Sequence, residues 1–191
     1  AVGDDRGDVE PPPEQGGEFD RNIRVEIVAR NDEARQAVVE WAGSQGIRAL
    51  VEPTLVTGDA AAAGQRLARA LLESPRGVVQ VWGGETTVRL PARPGRGGRA
   101  QHLALSAALA LQGCDGVYLL AAGTDGSDGP GEDAGALVDG ETVTRGELHT
   151  GRATEFLARA DAGSFLEASG DLIQTGPTGT NVMDLILGLR T

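Results

Sequence analysis

Gly116-Val117-Tyr118-Leu119-Leu120-Ala121-Ala122 runs directly into Gly123-Thr124-Asp125-Gly126-Ser127-Asp128-Gly129-Pro130. The first segment is a continuous apolar run, the type of strand that lies buried in the middle of a parallel sheet. The second is a turn rich in glycine and aspartate, delivered at the strand's carboxyl end. Ligands of open α/β sheets sit beyond the carboxyl ends of the strands, so this junction points to a fold class and to a site together. Upstream, residues 100–111 read as a nearly all-apolar helix, covered on more than one face. Residues 77–82 read as a strand that meets Gly83-Gly84-Glu85-Thr86, followed by a short strand over 87–90. A helix is expected over 60–72, with Leu67, Ala70 and Leu71 on its buried side. Residues 47–56 are extended and broken by Pro53. Asn31-Asp32 caps a helix with Ala34, Ala37, Val38 and Trp41 at helical spacing, and residues 23–29 alternate as a strand. Downstream, short helices are expected near 134–138, 153–159 and 164–168. A strand at 172–174, a turn at 175–180 and a last strand at 182–187 follow. Strands alternating with helices make an α/β domain over 21–191, a mostly parallel sheet flanked by helices in Rossmann-like layers. Residues 1–20, with Pro11-Pro12-Pro13 and Gly16-Gly17, read as an acidic linker or arm.

Charge narrows the function classes. The net charge is -11, and every one of the 17 basic residues is arginine. An acidic surface repels nucleic acid and anionic membrane, and an aromatic content of 3% leaves little on which to stack bases. Without lysine the chain has no P-loop lysine, Schiff base or kinase β3 lysine of its own. The single cysteine, Cys114, forbids an internal disulfide and reads as a small buried filler. No segment has the apolar length of a membrane span and no signal peptide is legible, so a cytoplasmic location is expected. A chain that starts at Ala1 rather than Met is expected of a fragment or a processed subunit.

The 29 glycines gather at the ends of apolar runs, where close backbone approach or tight turns need a residue without a Cβ. Gly83-Gly84-Glu85-Thr86 offers N–H groups to an anion and a carboxylate to a metal; a plain bulge or hairpin turn has the same composition. Arg93, Arg96 and Arg99 stand among glycines just before the 100–111 helix. Arg99 is nearest its start, where its guanidinium and the free backbone N–H groups would converge on one anion. Asp125 and Asp128 put two carboxylates in one loop, enough for Mg²⁺, although Asp/Gly turns also occur without a ligand. Thr175-Gly176-Pro177-Thr178-Gly179-Thr180-Asn181 suits phosphate or a polyol, or is an ordinary turn. His102 and His149 read as structural or solvated.

Taken in order, Gly83-Gly84-Glu85-Thr86-Thr87-Val88, Gly95-Arg96-Gly97-Gly98-Arg99, Gly123-Thr124-Asp125-Gly126-x-Asp128-Gly129-Pro130 and Thr175-Gly176-Pro177-Thr178-Gly179-Thr180-Asn181-Val182 resemble the signature of the C-terminal MOFRL domain of glycerate 2-kinases. The acidic Pro-rich stretch, Phe19-Asp20-Arg21 and Ala29-Arg30-Asn31 fit it as well. The resemblance implies an ATP-dependent transfer of the γ-phosphoryl group to D-glycerate, giving 2-phosphoglycerate. It implies a cleft between two domains, of which this chain supplies one wall. The other wall, with a catalytic lysine, would come from an N-terminal kinase domain of the same gene product or a separate chain; a homodimer stays open. Carried over by motif, Arg99 and Asp125 are the expected catalytic residues. Gly83, Gly84, Glu85, Thr86, Thr124, Asp128, Thr178, Thr180 and Asn181 are expected to bind ATP or glycerate, and Asp125 or Glu85 to hold Mg²⁺. The chain departs from the pattern at Ala100 and His102, where the family usually has Asn and Glu. Two other readings are a non-catalytic ligand-binding module that kept the fold and a hydroxypyruvate reductase. The latter lacks the Gly-x-Gly-x-x-Gly expected after its first strand.

Overall fold

Asp59 closes one element and opens the next: its carboxylate accepts the Ala62 N–H and caps the helix that starts at Ala60. Such strand-to-helix junctions order the chain. The structure, a computed structural model, describes residues 26–191. The elements are α1 (Asn31–Ser44), β1 (Arg48–Val51), β2 (Val56–Asp59), α2 (Ala60–Glu73), β3 (Val78–Thr87), α3 (Arg99–Leu111), β4 (Val117–Gly123), β5 (Gly135–Asp139), α4 (Thr142–Glu147), α5 (Ala153–Ala158), α6 (Ala162–Ser169), β6 (Leu172–Ile173) and β7 (Asp184–Arg190). The expected arm over 1–20 and the start of the strand expected at 23–29 lie outside the described residues.

The chain folds as an α/β domain around one 7-stranded sheet of order β1-β3-β7-β4-β5-β6, with β2 also paired to β3. β1, β2, β3, β4 and β6 point one way and β5 and β7 the other, so most strands share a direction. The parallel ladders are β1–β3 and β2–β3. β1 lies along Val78–Val81 and β2 along Gly84–Thr87, on the same edge of β3. The break that Pro53 imposes on 47–56 therefore divides one edge into two short strands.

Several local expectations are corrected. Glu26 to Arg30 form no strand, and Ile27 and Val28 are 64% and 90% exposed, because β1 and β2 occupy that edge of β3. Gly83 to Thr86 are not a loop; they continue β3, which absorbs part of the strand expected at 87–90. Residues 134–138 are strand, not helix: β5 pairs antiparallel with β4 from Tyr118↔Asp139 to Ala122↔Gly135. A short apolar run fits either period, and the partner decides. β4 is interior, but both its neighbours are antiparallel, and Tyr118 on its second face stays 41% exposed. In α1, Trp41 is 65% exposed and Ala37 is exposed, while Asn31, Arg35 and Ala42 are buried. In α2, Ala70 faces solvent, and Ala63, Gly64 and Ala68 join Leu67 and Leu71 inside.

Opposite faces of the sheet receive different helices. Trp82 and Gly83 are consecutive in β3 and so face opposite ways. Trp82 lies with Leu71 of α2 over Gly188, whereas Gly83 lies under Asn31 and Arg35 of α1. α2 and α3 form the heart of the core with Leu67, Leu71, Leu103, Leu105 and Leu111. Their crossing is tight because Gly64 lets α2 approach the α3 backbone; a Cβ there would press into the Leu103 carbonyl and stand 3.0 Å from the Ala107 nitrogen. Gly64→Ala, which improves helix propensity, is therefore expected to lower stability by about 1–3 kcal/mol through overpacking. A urea titration checks it, and an unchanged or raised midpoint would contradict the packing argument.

Candidate functional site

The loop leaving β4 is bound to the start of α3 by one carboxylate. Asp128 accepts the Ala100 N–H at 3.0 Å and the Gln101 N–H at 2.8 Å, while the Gln101 side chain donates back to the Asp128 carbonyl at 3.1 Å. The N–H groups expected to bind a ligand at this helix start are thus occupied by the protein itself. Asp128 is 4% exposed. Burial raises its pKa, and the two N–H bonds and Arg99 pull it back only in part.

Arg99, the first residue of α3, is not a free anion receptor either. Its Nε donates to Asp184 Oδ2 at 2.9 Å, one terminal nitrogen donates to Asp184 Oδ1 at 3.1 Å, and the other lies 2.8 Å from Glu85 Oε1. Asp184 was missed by sequence reasoning because it stands in an apolar stretch, yet it begins β7 and is 4% exposed. Hydrogen bonding to Asp184 raises the arginine's pKa; burial raises that of Asp184, although Arg99 opposes the rise. The pair therefore secures the arginine's charge more than the carboxylate's. Arg96 is anchored elsewhere, to Asp133 at 3.1 Å and Glu167 at 2.8 Å, and Arg93 is exposed.

Two loops clasp above the strand ends. Thr124 Oγ donates to the Met183 carbonyl at 2.7 Å and accepts the Val182 N–H at 2.8 Å. The Thr178 hydroxyl donates to the Thr124 carbonyl at 2.5 Å, and the Thr178 N–H donates to that of Asp125 at 3.2 Å. The Thr180 N–H approaches Thr178 Oγ at 3.4 Å, and Asn181 Nδ2 approaches Asp125 Oδ2 at 3.4 Å. Thr124 and Thr178 therefore spend their hydroxyls on the clasp, and Thr180 and Asn181 remain exposed on it. Met183 is held at φ 70 in the left-handed region, which a side chain disfavours. Gly83 and Gly84 are close-packing positions: a Cβ on either would strike Asn31 or the Val56 backbone.

A cavity of about 500 Å³ opens between these parts, lined by Thr86, Gly98, Arg99, His102, Asp125, Ser127 and Asp128 with Val88 and Leu90. A second cleft of about 500 Å³ lies on the far side of Asp125 and Ser127, against Gly176 and Pro177. The structure thus brings Arg99, Glu85, Thr86, Asp125 and Asp128 together, and adds His102 and Asp184.

Residues 78–184 match the model of the MOFRL family. The chain belongs to the MOFRL family. It is 37% identical over 175 residues to a D-glycerate 2-kinase of Thermotoga maritima, covering 88% of this chain and 42% of that protein. A crystal structure of a glycerate kinase from the same organism superposes with a TM-score of 0.83 at 37% identity, over 89% of this chain and 42% of that one. A putative hydroxypyruvate reductase of Agrobacterium vitis is 36% identical over 179 residues, 90% of this chain and 40% of its own. The chain thus spans less than half the length of these relatives.

In this MOFRL domain no group of three or more His, Cys, Asp or Glu side chains converges as a metal cluster among the described residues. Glu85 turns to Arg99, and Asp125 uses one oxygen for the Ser127 N–H at 3.0 Å. Nor is any helix among the described residues long and apolar enough to cross a membrane. His102 is buried on α3. Burial lowers its pKa, against the pull of the Asp59 carboxylate. A base depressed in the folded state adds stability that is complete above the unfolded value, about 6.5, and is lost as pH falls through the folded one. His102→Gln is expected to remove that component, so the stability difference between wild type and variant should shift against the wild type as pH drops below about 6.5. Parallel pH–stability curves from denaturant titrations would contradict it. Asp128→Ala is expected to cost about 2 kcal/mol by stripping the α3 start of its acceptor, read as a lowered denaturation midpoint.

Proposed function

We propose that this domain forms one wall of a D-glycerate 2-kinase site, facing a cleft closed by a second domain on the same polypeptide or on a separate chain. The observation that carries the reading is Arg99, fixed by Asp184 and Glu85 at the rim of the cavity beyond the strand ends. A guanidinium has more N–H donors than these contacts use, so Arg99 keeps donors for an anionic oxygen while its geometry is held. Phosphoryl transfer is mostly positioning and charge stabilisation, and a donor held before the reaction loses nothing to reorganisation as charge develops. Ser127 and Asp125, at the ridge between the two clefts, are placed to meet the rest of the substrate.

ATP and glycerate are the proposed substrates, and Mg²⁺ the accompanying ion. Asp125 suits that ion: its Oδ2 has only the long Asn181 contact at 3.4 Å, and Mg²⁺ is commonly held by one or two carboxylates plus substrate phosphates. Glu85, already engaged by Arg99, suits it less. Mg²⁺ would neutralise phosphoryl charge. Here Asp125 would orient the ion, and Arg99 would hold the oxygen that gains charge.

The reductase reading draws on the name of the Agrobacterium relative. Against it, β1 is followed by Glu52-Pro53-Thr54-Leu55 instead of a glycine-rich helix start. The chain combined with the remaining part of a matching relative is expected to form 2-phosphoglycerate from ATP and glycerate, and to leave NADH unoxidised with hydroxypyruvate. Arg99→Lys, which keeps a cation beside Asp184, is expected to retain the fold and lower kcat; Arg99→Ala is expected to lower kcat by about 10²–10³ and also to destabilise, since Asp184 is left buried without its partner. A reconstituted complex without turnover would favour the ligand-binding module, and full activity in Arg99→Ala would remove that residue from the site.

A further inference from the structure

Two polar side-chain atoms on the cavity wall are sealed from solvent and bonded to nothing: His102 Nδ1 and Thr86 Oγ. Their residues are 8% and 3% exposed. Buried polar atoms are nearly always paired, and exceptions gather at functional sites. A sealed nitrogen with no acceptor beside it is a poor place for a hydrogen, since an unmade buried donor costs free energy. His102 is also in the first turn of α3, where the aligned N–H dipoles disfavour positive charge. Burial acts in the same direction. The charged groups around it are Asp59 at the α2 start, Arg99 on its own helix, and Asp125 and Asp128 from the loop after β4. Arg99 is paired to Asp184, and both oxygens of Asp128 are committed to α3. These surroundings favour a neutral imidazole with its hydrogen on Nε2, the ring nitrogen left for a molecule in the cavity.

We infer that His102 is a ligand-contacting residue, a neutral imidazole whose Nε2–H donates to an anionic oxygen of the molecule in the cavity. The oxygen is a carboxylate or a phosphoryl oxygen; that choice, D-glycerate or ATP, rests on the kinase reading, whereas the state of the ring does not. In such a site Arg99 supplies charge, and His102 supplies direction without charge. A neutral donor of this kind polarises an oxygen without surrendering its proton.

The chain has 2 histidines, and His149 is exposed, so it is an internal control. Imidazole ¹⁵N shifts of the uniformly ¹⁵N-labelled chain, combined with the unlabelled remaining part of a matching relative, read the tautomer directly at neutral pH. Expected is a hydrogen on Nε2 of His102, and a shift of that nitrogen on adding either D-glycerate or MgATP while His149 stays still. The ligand that moves it identifies the oxygen. His102→Leu should weaken that ligand by about tenfold or more, and His102→Gln, which keeps an N–H donor, should retain most of the binding. A hydrogen on Nδ1, or a charged ring at neutral pH, would overturn the inference whatever the protein's activity. Ligand-induced shifts of the Ser127 and Gly129 amides with His102 unmoved would overturn it and leave the kinase reading standing. Silence of every cavity amide with both ligands would overturn the contact and the kinase reading together.

Discussion

Asp128 holds the first turn of α3 against the loop that leaves β4, and that contact sets Arg99 and His102 of α3 beside Asp125 and Ser127 of the loop. Arg99 is the residue before the first captured N–H, and His102 comes one residue after the second. The close approach needs glycine on both sides: a Cβ on Gly98 would enter the Asp128 carboxylate, and one on Gly129 would stand 2.7 Å from the Gly97 carbonyl. Gly98 and Gly129 are thus required by the joint between two protein segments, where a reading of composition alone assigns them to a ligand.

The charge balance of the rim follows from the same packing. Arg99 sits among Glu85, Asp184, Asp125 and Asp128, and burial raises the pKa of Asp128 and Asp184. A carboxylate raised by burial favours the folded state most at low pH and loses that contribution as pH rises through its folded value, while His102 acts in the opposite sense. Acid strength is set here by desolvation first and by pairing second.

Much of this was legible in the sequence where local signals and tertiary context agree. The 100–111 helix, the 116–122 strand and the divided stretch around Pro53 form where their apolar patterns put them, although the strand's neighbours are antiparallel. The failures have specific causes. Trp41 has the right spacing for a buried face, but α1 is turned by polar anchors: Asn31 donates to the carbonyls of Val182 and Asp184, and Arg35 to that of Glu52. Residues 134–138 are too short for periodicity to decide, and only pairing with β4 makes them strand. At the candidate site, the resemblance pointed to Arg99, Glu85 and Asp125, of which Arg99 and Asp125 line the cavity and Glu85 pairs with Arg99. It did not expose Asp184, whose role depends on a contact 85 positions away in sequence. His102 reads as structural because it lies on an apolar helix; only its unpaired Nδ1 and its place on the cavity wall mark it out.

β7, which follows every other strand of the sheet in sequence, lies in its middle, between β3 and β4. β3 and β4 do not touch as ladder partners, so before β7 arrives the sheet exists as two separate halves with raw edges. A nascent chain in which residues 184–190 are not yet made has a core that cannot close. Non-local pairing of this kind is slow, because the long intervening loop must be closed first. A premature stop codon near Asp184 would therefore expose two unpaired strand edges, the surfaces from which aggregation starts.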